Sequence, residues 1–140
     1  MIERVPIVKI GQVLMVSIQV DVSDQTTLAL QEDLSNRIVE TGATGVIIEI
    51  SALEIVDTFI GRMLATIASM ARVLDAETVV CGMRPAVAIT LAELGLSLGG
   101  VRTALNAERA FTLLREAGRG ATDNDGDEPD DAADGGERIS

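Results

Sequence analysis

The chain has 140 residues, 47% of them apolar, and this length and composition predict a single domain with a buried core. The chain has 22 acidic and 11 basic residues, and residues 120–140 contain eight of the acidic residues and one of the basic ones. Residues 1–119 therefore contain 14 acidic and 10 basic residues, which gives them a net charge of −4. A single lysine and scattered arginines argue against a nucleic-acid interface. The chain has no histidine, which argues against Ser-His-Asp, Cys-His and zinc sites. We therefore predict no enzymatic activity, no cofactor and no metal.

Two strands and a helix open the predicted fold. Residues 5–10 and 13–20 have the β-branched, partly alternating pattern of strands, and the two-residue turn between them makes the pair antiparallel. Ser23 and Asp24 are good caps for the helix that follows, in which apolar residues recur at helical spacing. Gly42 fits the position just past the end of that helix.

The remainder of the folded part alternates strands with helices. The predicted elements are a strand at residues 46–50, a helix with apolar residues from 60 to 74, a strand at 78–81, a helix from Pro85 to Gly95, a short strand near 101–103 and a helix from 107. Strands separated by helices need crossover connections and are therefore parallel. The sequence thus predicts an α/β fold with a mixed, mostly parallel sheet, an antiparallel N-terminal edge hairpin and about four covering helices.

The C-terminal segment differs in composition from the rest of the chain. From residue 118 onward the apolar pattern vanishes, and glycine, alanine and aspartate dominate. Such a segment buries too little apolar surface to offset its ordering entropy. We therefore predict a domain at residues 1–117 and a disordered acidic tail at residues 118–140.

Cellular location follows from what the sequence lacks. No apolar run approaches the roughly 20 residues that a membrane span needs, and residues 1–6 do not resemble a secretory signal. Cys81 is the only cysteine, which excludes an internal disulfide, and we expect it to be a small buried residue. These features predict a cytoplasmic protein that does not enter membranes.

The loop 51–61 is the best candidate for a functional site. It follows a predicted parallel strand and leads into the most regular apolar helix, and ligands and partners favour such strand ends. A hydroxyl at Thr58 would suit phosphorylation there, because helix N-termini favour anions. Spacing alone favours a simpler interpretation, in which Asp57 caps the helix and Thr58 is an ordinary first-turn residue. If Phe59, Ile60 and the neighbouring apolar residues are exposed, however, they would form a partner surface, and this would argue against the simpler interpretation.

Other candidate residues have weaker support. Met83 lies in the loop before a predicted helix, where it would be exposed. Arg84 is either a solvated arginine or a partner for a phosphate on Thr58, if the two loops share one edge of the sheet. No pair of carboxylates can be assigned acid and base roles, which leaves a small carboxylate enzyme as the least supported hypothesis.

Four stretches in chain order carry a resemblance to a known family. They are Leu14–Gln19, then Asp24–Thr26 with Gln31–Leu34, then Asp57–Ile60, and then Gly82–Leu91 with Glu93–Gly95. The third resembles the Asp-Ser/Thr phosphorylation motif of STAS domains, the anti-sigma-factor antagonist family. Together the four are similar to stressosome scaffold proteins of the RsbS type, over about residues 5–114.

The resemblance implies a STAS fold and a non-enzymatic role in a bacterial stress response. Proteins of the RsbS type assemble with RsbR-like co-antagonists into the large cytoplasmic stressosome, hold an RsbT-like switch kinase, release it on phosphorylation and are reset by an RsbX-like phosphatase. By position Thr58 would be the phosphoacceptor, and a homodimer within a larger hetero-oligomer is expected. The expected partner-binding residues are Asp57, Phe59, Ile60, Gly61, Arg62, Met83 and Arg84.

The sequence departs from the scaffold pattern at two positions. Scaffolds of this type usually carry serine where Thr58 stands, whereas threonine there, and arginine at position 84, are more typical of co-antagonists. However, the sensory N-terminal domain of co-antagonists is absent, and their second phosphorylated threonine corresponds to Asp24 here. The alternative within the same family is a direct anti-sigma-factor antagonist that binds an anti-sigma kinase one-to-one.

Overall fold

The architecture comes from a computed structural model that describes residues 5–19, 23–93 and 101–126, with side chains described as far as Ala117. The elements, in chain order, are β1 (Ile7–Ile10), β2 (Val13–Ser17), α1 (Asp24–Thr41), β3 (Gly45–Glu49), α2 (Thr58–Val73), β4 (Glu77–Cys81), α3 (Pro85–Glu93), β5 (Arg102–Ala104) and α4 (Ala107–Gly126). This order confirms the α/β alternation that the sequence predicts.

The five strands form one mixed sheet in the order β1-β2-β3-β4-β5. Strands β1 and β2 pair as an antiparallel hairpin, and every later pair is parallel. The register places Ser17 opposite Glu49, and Glu49 opposite Cys81. The carboxyl ends of β2, β3 and β4 therefore lie level at one edge of the sheet, and the loops that leave them are brought together there.

Alternation along the strands divides the core into two layers. Side chains such as Leu14, Val46 and Val80 pack with the buried faces of α1, α2 and α3 on one side of the sheet. Val13 and Ile47 point to the opposite side, where they pack with α4. Because β3 is buried on both faces, its run of β-branched residues is the composition expected of a central parallel strand.

Short-range capping signals set the ends of α1. The side chain of Ser23 accepts a hydrogen bond from the Thr26 N–H at 3.1 Å, which makes Ser23 the N-cap. At the other end, Gly42 adopts a left-handed conformation with φ 68°, and its N–H donates to the Ile38 carbonyl at 2.9 Å. Both ends agree with the sequence prediction.

The C-terminal helix is longer than the composition suggests. Helix α4 continues past Ala117, where we expected the folded domain to end, and reaches Gly126. Once its first turns are docked on the sheet, each further residue adds a hydrogen bond without a new nucleation cost. The predicted disorder of residues 127–140 and the predicted helix end at Gly95 lie outside the described residues.

Candidate functional site

Asp57 defines the start of helix α2. Its backbone is extended, and its Oδ1 accepts a hydrogen bond from the Ile60 N–H at 3.1 Å. The Asp57 carbonyl accepts the first helical hydrogen bond, from the Gly61 N–H, also at 3.1 Å. Asp57 is therefore the N-cap, as the simpler interpretation of the sequence predicts.

Thr58 is the first residue of α2, and its side chain is exposed. Within the described part of the chain its hydroxyl makes no hydrogen bond. The adjacent turn carries backbone N–H groups without helical partners, which favour negative charge. The threonine is thus accessible for modification, although Asp57 has a structural role beside it.

The apolar residues of this region divide into core and surface. Leu53, Val56 and Ile60 are 5%, 3% and 9% exposed and belong to the main core. Ile55, at 85%, and Phe59, at 37%, are exposed. The surface patch beside Thr58 is therefore formed by Ile55 and Phe59, and not by Phe59 with Ile60 as the sequence suggests. Ile60 points inward because the first turn of α2 packs on the sheet.

Three more of the expected partner-binding residues, Gly61, Arg62 and Met83, differ in how exposed they are to solvent. Gly61 is buried one turn into α2, so it offers a partner no surface there. Arg62 follows it and is exposed. Met83 is half-buried and packs against the main core, where the sequence suggested an exposed side chain.

A groove of about 310 Å³ runs between α1 and α2 beside the patch. Its lining residues are Asp24, Thr27, Leu28, Gln31, Phe59, Arg62, Met63 and Thr66. Leu28 is 65% exposed and extends the apolar surface from Phe59 onto α1. Three apolar side chains, from Leu28, Phe59 and Met63, therefore share the groove with three neutral polar side chains, one acidic and one basic.

A polar network lies along the carboxyl edge of the sheet. Glu49 accepts hydrogen bonds from the Ser17 hydroxyl at Oε1 and from the Ser51 N–H at Oε2, each at 3.2 Å. Gln19 donates to the Ser17 hydroxyl at 3.0 Å. The sequence analysis missed Ser17 and Glu49. Their shared position as the last residues of neighbouring parallel strands was the available signal.

Arg84 connects the loop after β4 to the loop before α2. Its Nε donates to the Ser51 carbonyl at 2.9 Å. The two loops therefore lie at the same sheet edge, as the hypothesis about Arg84 required. This contact assigns Arg84 a structural role in holding loop 51–57. The hypothesis that Arg84 binds a phosphate on Thr58 is left untested by it.

Cys81 ends β4 beneath this network. It is fully buried, as predicted, and burial together with the nearby Glu49 carboxylate raises the pKa of its thiol from 9.0 to about 11. The thiol is protonated at neutral pH and is therefore a poor nucleophile.

Residues 5–19, 23–93 and 101–126 contain neither a metal-binding cluster nor a membrane-spanning helix. Within these ranges no group of three or more His, Cys, Asp or Glu side chains is placed to hold a metal ion. None of the helices in the same ranges combines the length and the apolarity required to cross a membrane.

The fold and the exposed Asp-Thr motif at the start of α2 define a class of regulatory domain. The STAS domain family model matches residues 4–108. The chain therefore belongs to the STAS domain family, and its five-stranded sheet with four helices has the fold expected from the sequence resemblance.

Two solved structures are similar to this chain over most of its length. A variant of RsbS from Moorella thermoacetica is 40% identical with a TM-score of 0.74, over 84% of this chain and 99% of that chain. A structure described as "Molecular architecture of the stressosome, a signal integration and transduction hub" is 39% identical with a TM-score of 0.72, over 81% and 99%. This chain is therefore similar to RsbS of the stressosome along most of its length.

More distant structures share the fold alone. The anti-sigma factor antagonist SpoIIAA in its unphosphorylated form is 13% identical with a TM-score of 0.64, over 80% of this chain and 96% of that chain. No curated protein sequence matches the chain significantly. Taken together, the comparisons show a STAS domain that is similar to RsbS of the stressosome and that shares its fold with more distant proteins.

Proposed function

We propose that this chain is a non-enzymatic, cytoplasmic stressosome scaffold of the RsbS type. It holds an RsbT-like serine/threonine kinase and releases it when Thr58 is phosphorylated. The observation that carries the proposal is the exposed hydroxyl of Thr58, free of hydrogen bonds within the described chain, at the mouth of α2 and beside an apolar surface. The similarity to RsbS supports it independently.

The kinase would dock on Phe59 and Leu28, exposed apolar side chains that line the α1–α2 groove, and on the exposed Ile55 in the loop before α2. The γ-phosphoryl group of ATP then passes to the Thr58 oxygen. A phosphorus–oxygen bond forms at Thr58, the bond to the ADP oxygen breaks so that ADP leaves, and the hydroxyl proton passes to a general base of the kinase. About two negative charges thereby appear next to Asp57 and at the rim of the apolar surface.

We expect this charge to weaken the binding of a docked protein. A dianion buried at an interface loses its hydration, and without compensating partners that cost amounts to several kcal/mol. A loss of about 1.4 kcal/mol already lowers affinity tenfold. An RsbX-like phosphatase would restore the binding-competent state by hydrolysing the phosphate, and an RsbR-like co-antagonist would complete the assembly, with a homodimer of this chain as its building block.

The site assignment is tested by incubating the protein with its cognate kinase, ATP and Mg²⁺. We expect one phosphate by mass spectrometry on the parent and on Thr58→Ser, and none on Thr58→Ala. Ser69→Ala, which removes another exposed hydroxyl from α2, is the matched control and should be phosphorylated like the parent. Unchanged phosphorylation of Thr58→Ala would exclude Thr58 as the acceptor.

The assembly is tested by sizing a mixture of this chain with a co-antagonist and the kinase. A scaffold forms particles of megadalton size, from which the kinase elutes separately after phosphorylation. A complex that stays at the size of one kinase with one or two copies of this chain would instead favour the direct anti-sigma-factor antagonist.

A further inference from the structure

The charges around Thr58 restrict which group can meet a phosphate there. Glu54 and Asp57 lie in its own loop and are acidic, and so is Asp24 on α1. Two cations are candidates: Arg62, one turn along α2, and Arg84, which contacts the loop before α2. The other arginines of α1 and α2 are Arg37 and Arg72, which lie toward the C-terminal ends of these helices. Beside the free N–H groups of the first turn, these two arginines are the candidate side chains with a charge opposite to that of a phosphate on Thr58.

The two arginines differ in their present contacts. Arg84 already donates its Nε to the Ser51 carbonyl, and turning its guanidinium toward Thr58 would loosen that contact. Arg62 is exposed and, within the described residues, makes no hydrogen bond or ion pair. Arg62 can therefore change partner without breaking an existing interaction.

Helical geometry directs Arg62 toward Thr58. The two residues are four apart on α2, and such residues lie one above the other on the helix surface, with Cβ atoms about 5–6 Å apart. The Cα–Cβ bonds of a helix tilt toward its N-terminus, so the later residue leans over the earlier one. An arginine side chain easily spans that separation and can bind two phosphate oxygens at once.

We propose that Arg62 is the intramolecular partner of the phosphate on Thr58, and that this pairing changes the charge of the α1–α2 groove. The inference rests on the proposed function, because it assumes a phosphate at that site. Before phosphorylation Arg62 and Asp24 give the groove one charge of each sign. After it, Arg62 is paired with the phosphate, which keeps about one excess negative charge, and Asp24 has lost the opposite charge in the groove.

The consequence is that phosphorylation acts on a larger surface than the modified residue. A kinase that places an acidic group against Arg62 in the groove would lose that contact and meet Asp24 instead. Arg62 is in this sense a positioning residue, because its pairing with the phosphate at the start of α2 changes the charge of the groove.

The test uses the full chain with phosphothreonine incorporated at position 58 during translation, so that no kinase is needed. ³¹P NMR then follows the ionisation of the phosphate with pH at low salt. We expect Arg62→Gln to raise the second pKa of the phosphate, with proton binding about two- to threefold tighter, since exposed ion pairs one helical turn apart have energies of a few tenths of a kcal/mol or slightly more. Arg62→Lys should restore most of the parent value.

Arg72→Gln is the matched control, because it removes an exposed arginine from the last turn of the same helix. Its phosphate should titrate like that of the parent. A phosphate that titrates identically in Arg62→Gln and in the parent would overturn the inference, and so would a larger change in Arg84→Gln. Failure of the cognate kinase to modify Thr58 would overturn the proposed function without altering this titration.

Discussion

At the scale of single residues, Gly82 is the position where backbone and side-chain constraints coincide. Its φ of +77° lies in the left-handed region, and a Cβ there would come within 2.6 Å of Glu49 Oε2 and 3.2 Å of the Ser51 Cβ. The Glu49 carboxylate is itself held by the Ser51 N–H. Glycine at this position therefore allows β4 to approach the loop that leads into α2.

Gly82→Ala should consequently destabilise the protein more than Gly42→Ala. Both glycines have positive φ, but a Cβ at Gly42 meets nothing within 4 Å. We expect about 1 kcal/mol for the backbone strain at either position, and a further 1–3 kcal/mol for the collision at Gly82. Urea unfolding of the two variants measures the difference. Equal losses would show that the Glu49 side chain yields without cost.

Cys81 makes stability depend on alkaline pH. Its thiol pKa is about 11 in the folded protein against 9.0 for an unperturbed thiol, so the unfolded chain releases the proton first as pH rises. The stabilisation is fully present below pH 9 and is lost as pH increases toward 11. From pH 8 to 10.5 we expect the parent to lose about 2 kcal/mol more than Cys81→Ala in urea unfolding. Parallel pH profiles of the two proteins would contradict the assignment.

At the scale of elements, helix α2 connects the core to Thr58, the proposed phosphorylation site. Its buried face, which includes Met63, Leu64 and Ile67, anchors it to the sheet. Its first turn presents Thr58 and Phe59 to the surface. The position of the switch therefore depends on where the helix begins, and Asp57 sets that point.

Replacing Asp57 tests how strongly the cap defines the helix start. Asp57→Ala removes the acceptor for the Ile60 N–H and should cost about 1 kcal/mol in the free energy of unfolding. Asp57→Asn keeps an acceptor oxygen and should cost only a few tenths of a kcal/mol. Denaturant midpoints at fixed slope give both values. If Asn were as destabilising as Ala, the contribution would come from the charge and not from the cap.

At the scale of the whole molecule, the chain consists of a family domain followed by an acidic segment. The family match ends at residue 108, and the described helix α4 ends at Gly126. Residues 127–140 contain six acidic residues and one arginine, and the resemblance does not extend to them.

Removal of residues 127–140 should therefore leave the fold unchanged. We expect the free energy of unfolding to stay within about 0.5 kcal/mol of the parent, because the composition of this segment offers little apolar surface to bury. Kinase binding should also persist, since the proposed surface lies on α1 and α2. The measurements are thermal or urea unfolding and co-elution with the kinase. A clear loss of stability would show that the tail packs on the domain.

Several features could be predicted because their causes are local in the chain. Periodicity gives the order of the nine elements, and Ser23, Gly42 and Asp57 act as caps through contacts within about one helical turn. The extension of α4 beyond Ala117 was not predictable from composition, because docking of its first half on the sheet stabilises the start of the helix.

The candidate site also combines features with local causes and features that depend on tertiary packing. By itself the sequence determined that Thr58 follows a helix cap after a parallel strand, since strand alternation and capping depend on neighbouring residues. Only the tertiary structure decided that Ile60 is buried while Ile55 and Phe59 are exposed, that Arg84 holds Ser51, and that α1 and α2 enclose a groove. Exposure and these contacts depend on how segments distant in the chain pack together, and a linear pattern does not contain that information.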